Sequence, residues 1–475
     1  MEIATETERK YDVPHNFELP DLVGAAGIAS VDGAEIHDLD ATYFDTDDLR
    51  LMKNRRTLRR RTGGNDAGWH LKTPGDGAGR TEHRVSGEPD SVPEELRELV
   101  RVIVRHRALE PVARLCTHRV ETPLRDERGR TLALVAQDQV RAEADGEEIA
   151  WQEVEVELVD GGTEVLDAVE EALLAAGASP AAGPSKVARA LAGRLAAGEG
   201  KKSKGKVNPV FRYAREQRDA ILGYDPAARR GEEEAVHKMR VATRRLRSTL
   251  KTYRKWFPET GIGDELRWLA QMLGAVRDPQ VLEEKLLAGL TGAGPEFQPA
   301  AQRIRASLEH RIAQGREELV EALDSDRYLE LLDRIDELVD GTPLRDTDPA
   351  ARARKVLQRA DDELDTAMEH GVDEEIHDSR KRFKQARYAI ELVEPDAGKP
   401  AKNLVKALTA LQDGLGAHQD STVARQVLRE LGSDSFHFGV LYGRQEQVGK
   451  ETLAAVPALV RASRRKKVRR WLVKT

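Results

Sequence analysis

The sequence predicts an α+β domain built on an antiparallel β-barrel, followed by an all-α domain made of two related helical bundles. Three observations carry this expectation. Up to about residue 160 the chain alternates in short runs separated by turn residues, the period of β-strands. From Asn208 onward the pattern changes to long helical periodicity. Between the two lies Gly198-Glu-Gly-Lys-Lys-Ser-Lys-Gly-Lys206, a polar, flexible and basic stretch. A chain of 475 residues is too long for one ordinary core. The expected division is residues 1–197, a linker over 198–207, and residues 208–475, with helical repeats at about 208–340 and 348–475.

In the first half the strand runs are Glu2–Tyr11, Asp40–Phe44, Thr57–Arg61, Gly68–Thr73, Arg80–Ser86, Arg114–Thr122, Arg130–Gln137 and Ile149–Val159. Gly63-Gly64-Asn65-Asp66 reads as a hairpin loop, and helical patterns interrupt at about Pro93–Arg105 and Glu164–Ala176. In the second half, His237-Lys-Met-Arg-Val-Ala-Thr-Arg-Arg-Leu-Arg247 matches His377-Asp-Ser-Arg-Lys-Arg-Phe-Lys-Gln-Ala-Arg387. Leu273-Gly-Ala-Val-Arg-Asp278 matches Leu415-Gly-Ala-His-Gln-Asp420 at nearly the same offset, which predicts an internal duplication.

Apolar residues make up 39% of the chain and charged residues 33%, and the net charge of −7 hides strong local grouping. Because side chains two apart on a strand share a face, Glu6, Glu8 and Lys10 lie together. So do Arg59 with Arg61, His70 with Lys72, Glu82 with Arg84, and Arg119 with Glu121. Glu153, Glu155 and Glu157 line one face of their strand, with Val154, Val156 and Leu158 on the other. One such face is ordinarily solvated. Recurrence on nearly every strand points instead to a charged barrel interior. Carboxylates there suit a hard divalent cation such as Mg²⁺ or Mn²⁺, while Arg and Lys suit phosphate oxygens.

Glu6-x-Glu8-x-Lys10 resembles the signature of the CYTH family, the triphosphate tunnel metalloenzymes. The ordered set that follows strengthens the resemblance: Tyr43-Phe-Asp-Thr, Leu58-Arg59-x-Arg61, Trp69-x-Leu-Lys72, Arg84, Arg119, Glu155-x-Glu157-Leu and Pro184-Ser-Lys186. It implies an eight-stranded tunnel that binds Mg²⁺ or Mn²⁺ and hydrolyses triphosphates. Carried over residue by residue, Glu6, Glu8, Glu155 and Glu157 are metal ligands, with Glu153 and Asp138 as further members of the acidic zone. Lys10, Arg59, Arg61, Lys72, Arg84, Arg119 and Lys186 form the triphosphate clamp, and Glu6, Glu8 and Lys10 are the catalytic candidates.

Between Lys238 and Lys255 there are eight Lys or Arg residues and no acidic one. Helical spacing puts His237, Arg240, Arg244, Arg247 and Lys251 on one stripe, and His377, Arg380, Lys384 and Arg387 on its counterpart. The second stripe is less basic, because Asp378 and Gln385 replace Lys238 and Arg245, so the first repeat is expected to bind a polyanion more strongly. This half resembles the CHAD domain, which implies two pseudo-symmetric four-helix bundles binding inorganic polyphosphate through these nine residues. Asp278 and Asp420 are expected to be structural, pairing with the stripe or capping a helix.

Other classes are disfavoured. Aromatic residues are 4% of the chain, too few for base-stacking platforms, so nucleic acid is not the expected polyanion. The single cysteine, Cys116, is expected to be a buried structural thiol. With no signal-like or membrane-spanning segment, the expected location is cytoplasmic, with association to polyphosphate granules an option. The partners expected are inorganic triphosphate and polyphosphate. The competing readings are a non-catalytic polyphosphate-binding adaptor, a nucleoside or thiamine triphosphatase, and an adenylate cyclase-like enzyme.

Overall fold

Residues 2–12 run as one extended segment broken at Thr7 into strands β1 (Glu2–Glu6) and β2 (Glu8–Asp12), and this break organises the first domain. The protein is described here from a computed structural model covering residues 1–75, 79–86, 91–198, 208–292, 294–341, 343, 348–432 and 435–473. It forms two compact units, Met1–Lys204 and Gly205–Thr475. The expected linker, 198–207, falls outside the described residues except for its first position.

The remaining strands are β3 (Ser30–Val31), β4 (Glu35–Asp45), β5 (Thr57–Thr62), β6 (Gly68–Pro74), β7 (Arg80–Ser86), β8 (Glu110–Arg125), β9 (Thr131–Ala144), β10 (Glu147–Leu158) and β11 (Ser179–Pro180). Their order is β1-β7-β6-β5-β4-β8-β9-β10-β2-β11, with β3 on β8. The two halves of the N-terminal segment therefore pair with opposite ends of the sheet, β1 with β7 and β2 with β10. At the break, Leu158 N–H donates to the Thr7 carbonyl at 3.0 Å. One extended segment thus joins the two ends of the sheet. Counting the β1–β2 segment as one strand and setting aside the two-residue β3 and β11, the barrel has eight strands, all antiparallel.

The two faces separate by chemistry. On β10, Val154 and Val156 point outward into a core with Tyr11, Leu124 and Val135, which is covered by Val165, Leu166 and Val169 of the helix Thr163–Ala175. The intervening Glu153 and Glu155 are buried on the opposite, inner face. Near the end of the domain, Val187 and Leu191 pack against the inward residues Ala41, Tyr43, Leu115 and Val140, so the short helix starting at Lys186 plugs the barrel interior. Cys116 is exposed rather than buried. It sits between the inward Leu115 and Thr117 on β8, so strand alternation turns it out to solvent.

In the second unit the long helices, numbered α1 to α8 in chain order, are α1 (Pro209–Arg229), α2 (Glu233–Thr252), α3 (Ile262–Ala288), α4 (Gln298–Asp324), α5 (Pro349–His370), α6 (Asp373–Ala397), α7 (Lys399–Gly432) and α8 (Phe436–Ser463). Each group of four is followed by a shorter helix, Asp326–Asp340 and Lys466–Val473, which the sequence patterns did not single out. Within each repeat consecutive helices pack as hairpins, and α2 packs against α6 across the repeats. The duplication seen in the sequence is thus a duplication of helical bundles.

Candidate active site

The barrel interior holds a cavity of about 420 Å³ whose wall is rich in charged side chains of both signs. All eleven of the principal tunnel residues expected from sequence line it: Glu6, Glu8, Lys10, Arg59, Arg61, Lys72, Arg84, Arg119, Glu155, Glu157 and Lys186. They come from seven strands and one helix start, and what brings them together is the common inward face of a closed sheet.

The charges sort into three groups. In the first, Asp138, Glu153 and Glu155 converge, each placing a carboxylate oxygen within 4.8 Å of the others. Such a trio could hold a metal ion, but here the Lys186 ammonium stands among them, 2.9 Å from Asp138 and 2.7 Å from both Glu153 and Glu155. Arg119 grips Asp138 through two bonds, at 2.8 and 2.7 Å, and reaches Glu155 at 2.7 Å; Lys10 also bonds Glu155. Three carboxylates thus meet three cations. Burial alone would neutralise Glu155, yet Lys10, Lys186 and Arg119 hold it well below the usual carboxylate range. Burial likewise opposes the Lys186 charge, and Glu155, Asp138 and Glu153 outweigh it, raising the ammonium.

The second group centres on Glu82, which is fully buried. His70 Nδ1 lies 3.2 Å from it, Arg59 at 3.6 Å and Lys72 at 3.8 Å, and Arg84 Nε donates to it. Against the effect of burial, His70, Lys72 and Arg59 keep it ionised, well below the usual range. Lys72 and Arg84 also reach Glu6. Glu82 therefore orders much of the basic wall from beneath. Strand alternation puts it on the face of Arg84, but its role is set by partners distant in the chain. The Tyr43 hydroxyl, which also lines the cavity, accepts from Arg59 at 3.4 Å.

The third group is Glu6, Glu8 and Glu157. Glu8 and Glu157 stand directly opposite each other on β2 and β10, a like-charge cross-strand pair that is destabilising without a counter-ion. Glu8 has Lys10 at 3.2 Å, but among the described residues Glu157 makes no ion pair. Burial, then Glu6, push the Glu157 carboxyl up to about 7. Three oxygen donors gathered around Glu157, the one of them without an ion pair among the described residues, are a donor set that a hard divalent cation satisfies, so these residues fit the metal implied by the resemblance. Facing them, the Nε groups of Arg59 and Arg61 are buried without partners, and burial, then Arg59 and Arg119, push the Arg61 guanidinium down to about 9. Buried donors without acceptors, in a crowd of cations, are poised for an anion.

Family models match a CYTH domain at residues 4–191 and a CHAD domain at 212–429. An uncharacterized protein of Mycobacterium tuberculosis, found in strains CDC 1551 / Oshkosh and H37Rv, is 36% identical over 499 residues and spans 96% of both chains. The chain is a CYTH–CHAD protein. Solved structures with local likeness include PptA from Streptomyces chartreusis, at 20% identity with TM-score 0.46, covering 53% of this chain and 98% of that one. Another is a CHAD domain from the plant Ricinus communis, at 25% identity with TM-score 0.36, covering 56% of this chain and 88% of that one. The assignment rests on the family models and the full-length relative.

In the CHAD unit the two basic stripes meet where α2 packs on α6. Arg240 and Arg244 both bear on Lys384 of the other repeat, and Arg382 bears on Lys251. Arg240 is paired with Asp278 at 2.8 Å, the structural pairing expected for that aspartate. Asp420 differs from its counterpart: it pairs with Lys285, a residue of the first repeat, and leaves the second stripe alone. Arg387 is engaged with Glu391 at 2.8 Å. Among the described residues Arg244, Arg247, Lys251, Arg380 and Lys384 make no ion pair. His237 is exposed and His377 half-buried, and burial lowers both imidazoles, followed by Arg277 for His237 and by Lys381 for His377. No described helix is long and apolar enough to cross a membrane.

Proposed function

We propose that the CYTH unit hydrolyses inorganic triphosphate or a closely related triphosphate with Mg²⁺ or Mn²⁺, and that the CHAD unit binds inorganic polyphosphate. The observation that carries the first part is one cavity joining Glu6, Glu8 and the unpaired Glu157 to arginines with unpartnered buried N–H groups. Glu6, Glu8 and Glu157 would hold the metal, which acts as a Lewis acid on phosphate oxygens. Glu155, Glu153 and Asp138 serve mainly to fix Lys186, Lys10 and Arg119 in place. Arg59, Arg61, Lys72, Arg84 and Arg119 bind and orient the chain of phosphates, with Lys10 and Lys186 at its acidic end. Preorganised positive charge of this kind lowers the barrier without a covalent intermediate.

The test is phosphate release by the full-length protein from inorganic triphosphate and from nucleoside triphosphates. Release abolished by chelation and restored by Mg²⁺ or Mn²⁺ is the expected result. No release from any of these substrates would leave the polyphosphate-binding adaptor as the surviving reading.

Polyphosphate binding by the CHAD unit carries a proton signature. Burial, then Arg244, Arg380, Arg240 and Arg387, push the Lys384 ammonium down to about 7. A bound polyanion reverses the charge crowding and raises it again. Binding should therefore take up a proton, and affinity should fall as pH rises through 7. Titration calorimetry at pH 8 in buffers of different ionisation enthalpy measures this directly; an apparent heat independent of buffer contradicts it.

A further inference from the structure

The two repeats are equivalent in backbone but not in how their arginines are occupied. Gly274 and Gly416 hold matching positions in the two Leu-Gly-x-x-x-Asp stretches, and each seats an arginine from the neighbouring helix. A Cβ built on Gly274 would lie 3.1 Å from Arg240 Nη2, and one on Gly416 would lie 2.9 Å from Arg380 Nη2. In both arginines the Nε is buried without a partner. So far the halves agree.

They differ in the next contact. Asp278 takes both terminal nitrogens of Arg240, through Nη1–Oδ1 and Nη2–Oδ2 approaches of 2.8 Å. The equivalent Asp420 is drawn away by Lys285, so Arg380 keeps its fork open. A second asymmetry acts at the other end of the stripe. Where the first repeat has Lys251, the second has Glu391, which accepts from Arg245 at 3.0 Å, Arg387 at 2.8 Å and Tyr213 at 3.1 Å. That carboxylate neutralises Arg245 and Arg387 from within. Among the described residues the stripe cations without a carboxylate partner are Arg244, Arg247 and Lys251 of the first repeat and Arg380 and Lys384 of the second, and of the first-repeat three it is Arg244 that bears on Lys384.

We propose that the phosphate chain is anchored asymmetrically: Arg380 and Lys384 of the second repeat, with Arg244 of the first, form its primary seat, and Arg240 is held back by Asp278. This rests on the reading of the CHAD unit as a polyphosphate binder. It reverses the expectation from composition that the first repeat dominates. Total basic charge favours the first repeat, but a guanidinium already bonded at both nitrogens must give up those bonds before it can grip a phosphate, whereas an open one need not.

The experiment titrates full-length protein with linear inorganic polyphosphate at fixed salt, comparing wild type with Arg380→Gln, Arg240→Gln and Asp278→Asn. Arg380→Gln should weaken binding by about tenfold or more, and Arg240→Gln by less than about threefold. Asp278 is largely exposed, so Asp278→Asn should fold normally and tighten binding by releasing Arg240. Equal losses from the two arginine variants, a larger loss from Arg240→Gln, or unchanged or weaker binding by Asp278→Asn would overturn the asymmetry while leaving polyphosphate binding intact. A wild-type protein that does not bind polyphosphate at all would overturn the underlying reading and this inference with it.

Discussion

Lys186→Met should destabilise the CYTH unit by about 3–5 kcal/mol, seen as an early thermal transition, while adding no steric burden. Among the described residues Lys186 is the one cation shared by Asp138, Glu153 and Glu155, all three of which are buried. Removing it leaves Arg119 and Lys10 to balance three carboxylates, and the uncompensated charge is what costs stability rather than the lost contact itself. Differential scanning calorimetry checks this. If the trio normally held a metal ion with Lys186 merely nearby, adding Mg²⁺ would restore the wild-type transition in the variant; the present account expects little rescue.

Glu157→Gln should do the opposite in the metal-free protein, stabilising it by about 1–3 kcal/mol at pH 8 while sharply reducing phosphate release. The sign follows from proton counting. With its carboxyl raised from 4.5 to about 7, folded Glu157 keeps a proton that the unfolded chain has already lost. Wild-type stability contributed by this group therefore falls as pH rises between those values, and the loss is complete above about 7. Glutamine cannot ionise, so the variant should lack that slope. Urea unfolding in chelator between pH 5 and pH 8 measures it; parallel pH profiles for wild type and variant contradict the assignment. A residue that destabilises the unliganded fold yet supports activity is the trade-off expected at a binding site.

Much of this was legible in the sequence because strand periodicity is a local property. Arg80–Ser86 is read from alternation alone, and the shared faces of Arg59 with Arg61 and of Glu153, Glu155 and Glu157 follow from the pleat. Other features depend on contacts far apart in the chain. The break at Thr7 is invisible in a pattern that alternates straight through it, because its cause is the pairing of β1 and β2 with opposite sheet ends. Glu82 has the same local setting as other inward carboxylates, and only the fold places His70 and Arg59 against it. In the helical half, the duplication and the basic stripes are plain in the sequence. The different occupation of Arg240 and Arg380 is not, since it turns on Lys285 capturing Asp420 from the other repeat.

The central claim is that one charged cavity binds a divalent cation and a triphosphate and cleaves the latter. It is tested most directly by measuring Mg²⁺-dependent phosphate release from inorganic triphosphate for wild type and the Glu6→Ala plus Glu8→Ala variant side by side, with folding of both verified. The account predicts steady release by wild type and a loss of about a thousandfold or more in the variant, the scale expected when metal-holding carboxylates are removed. Equal release by the two proteins, or none from a folded wild type, would contradict it.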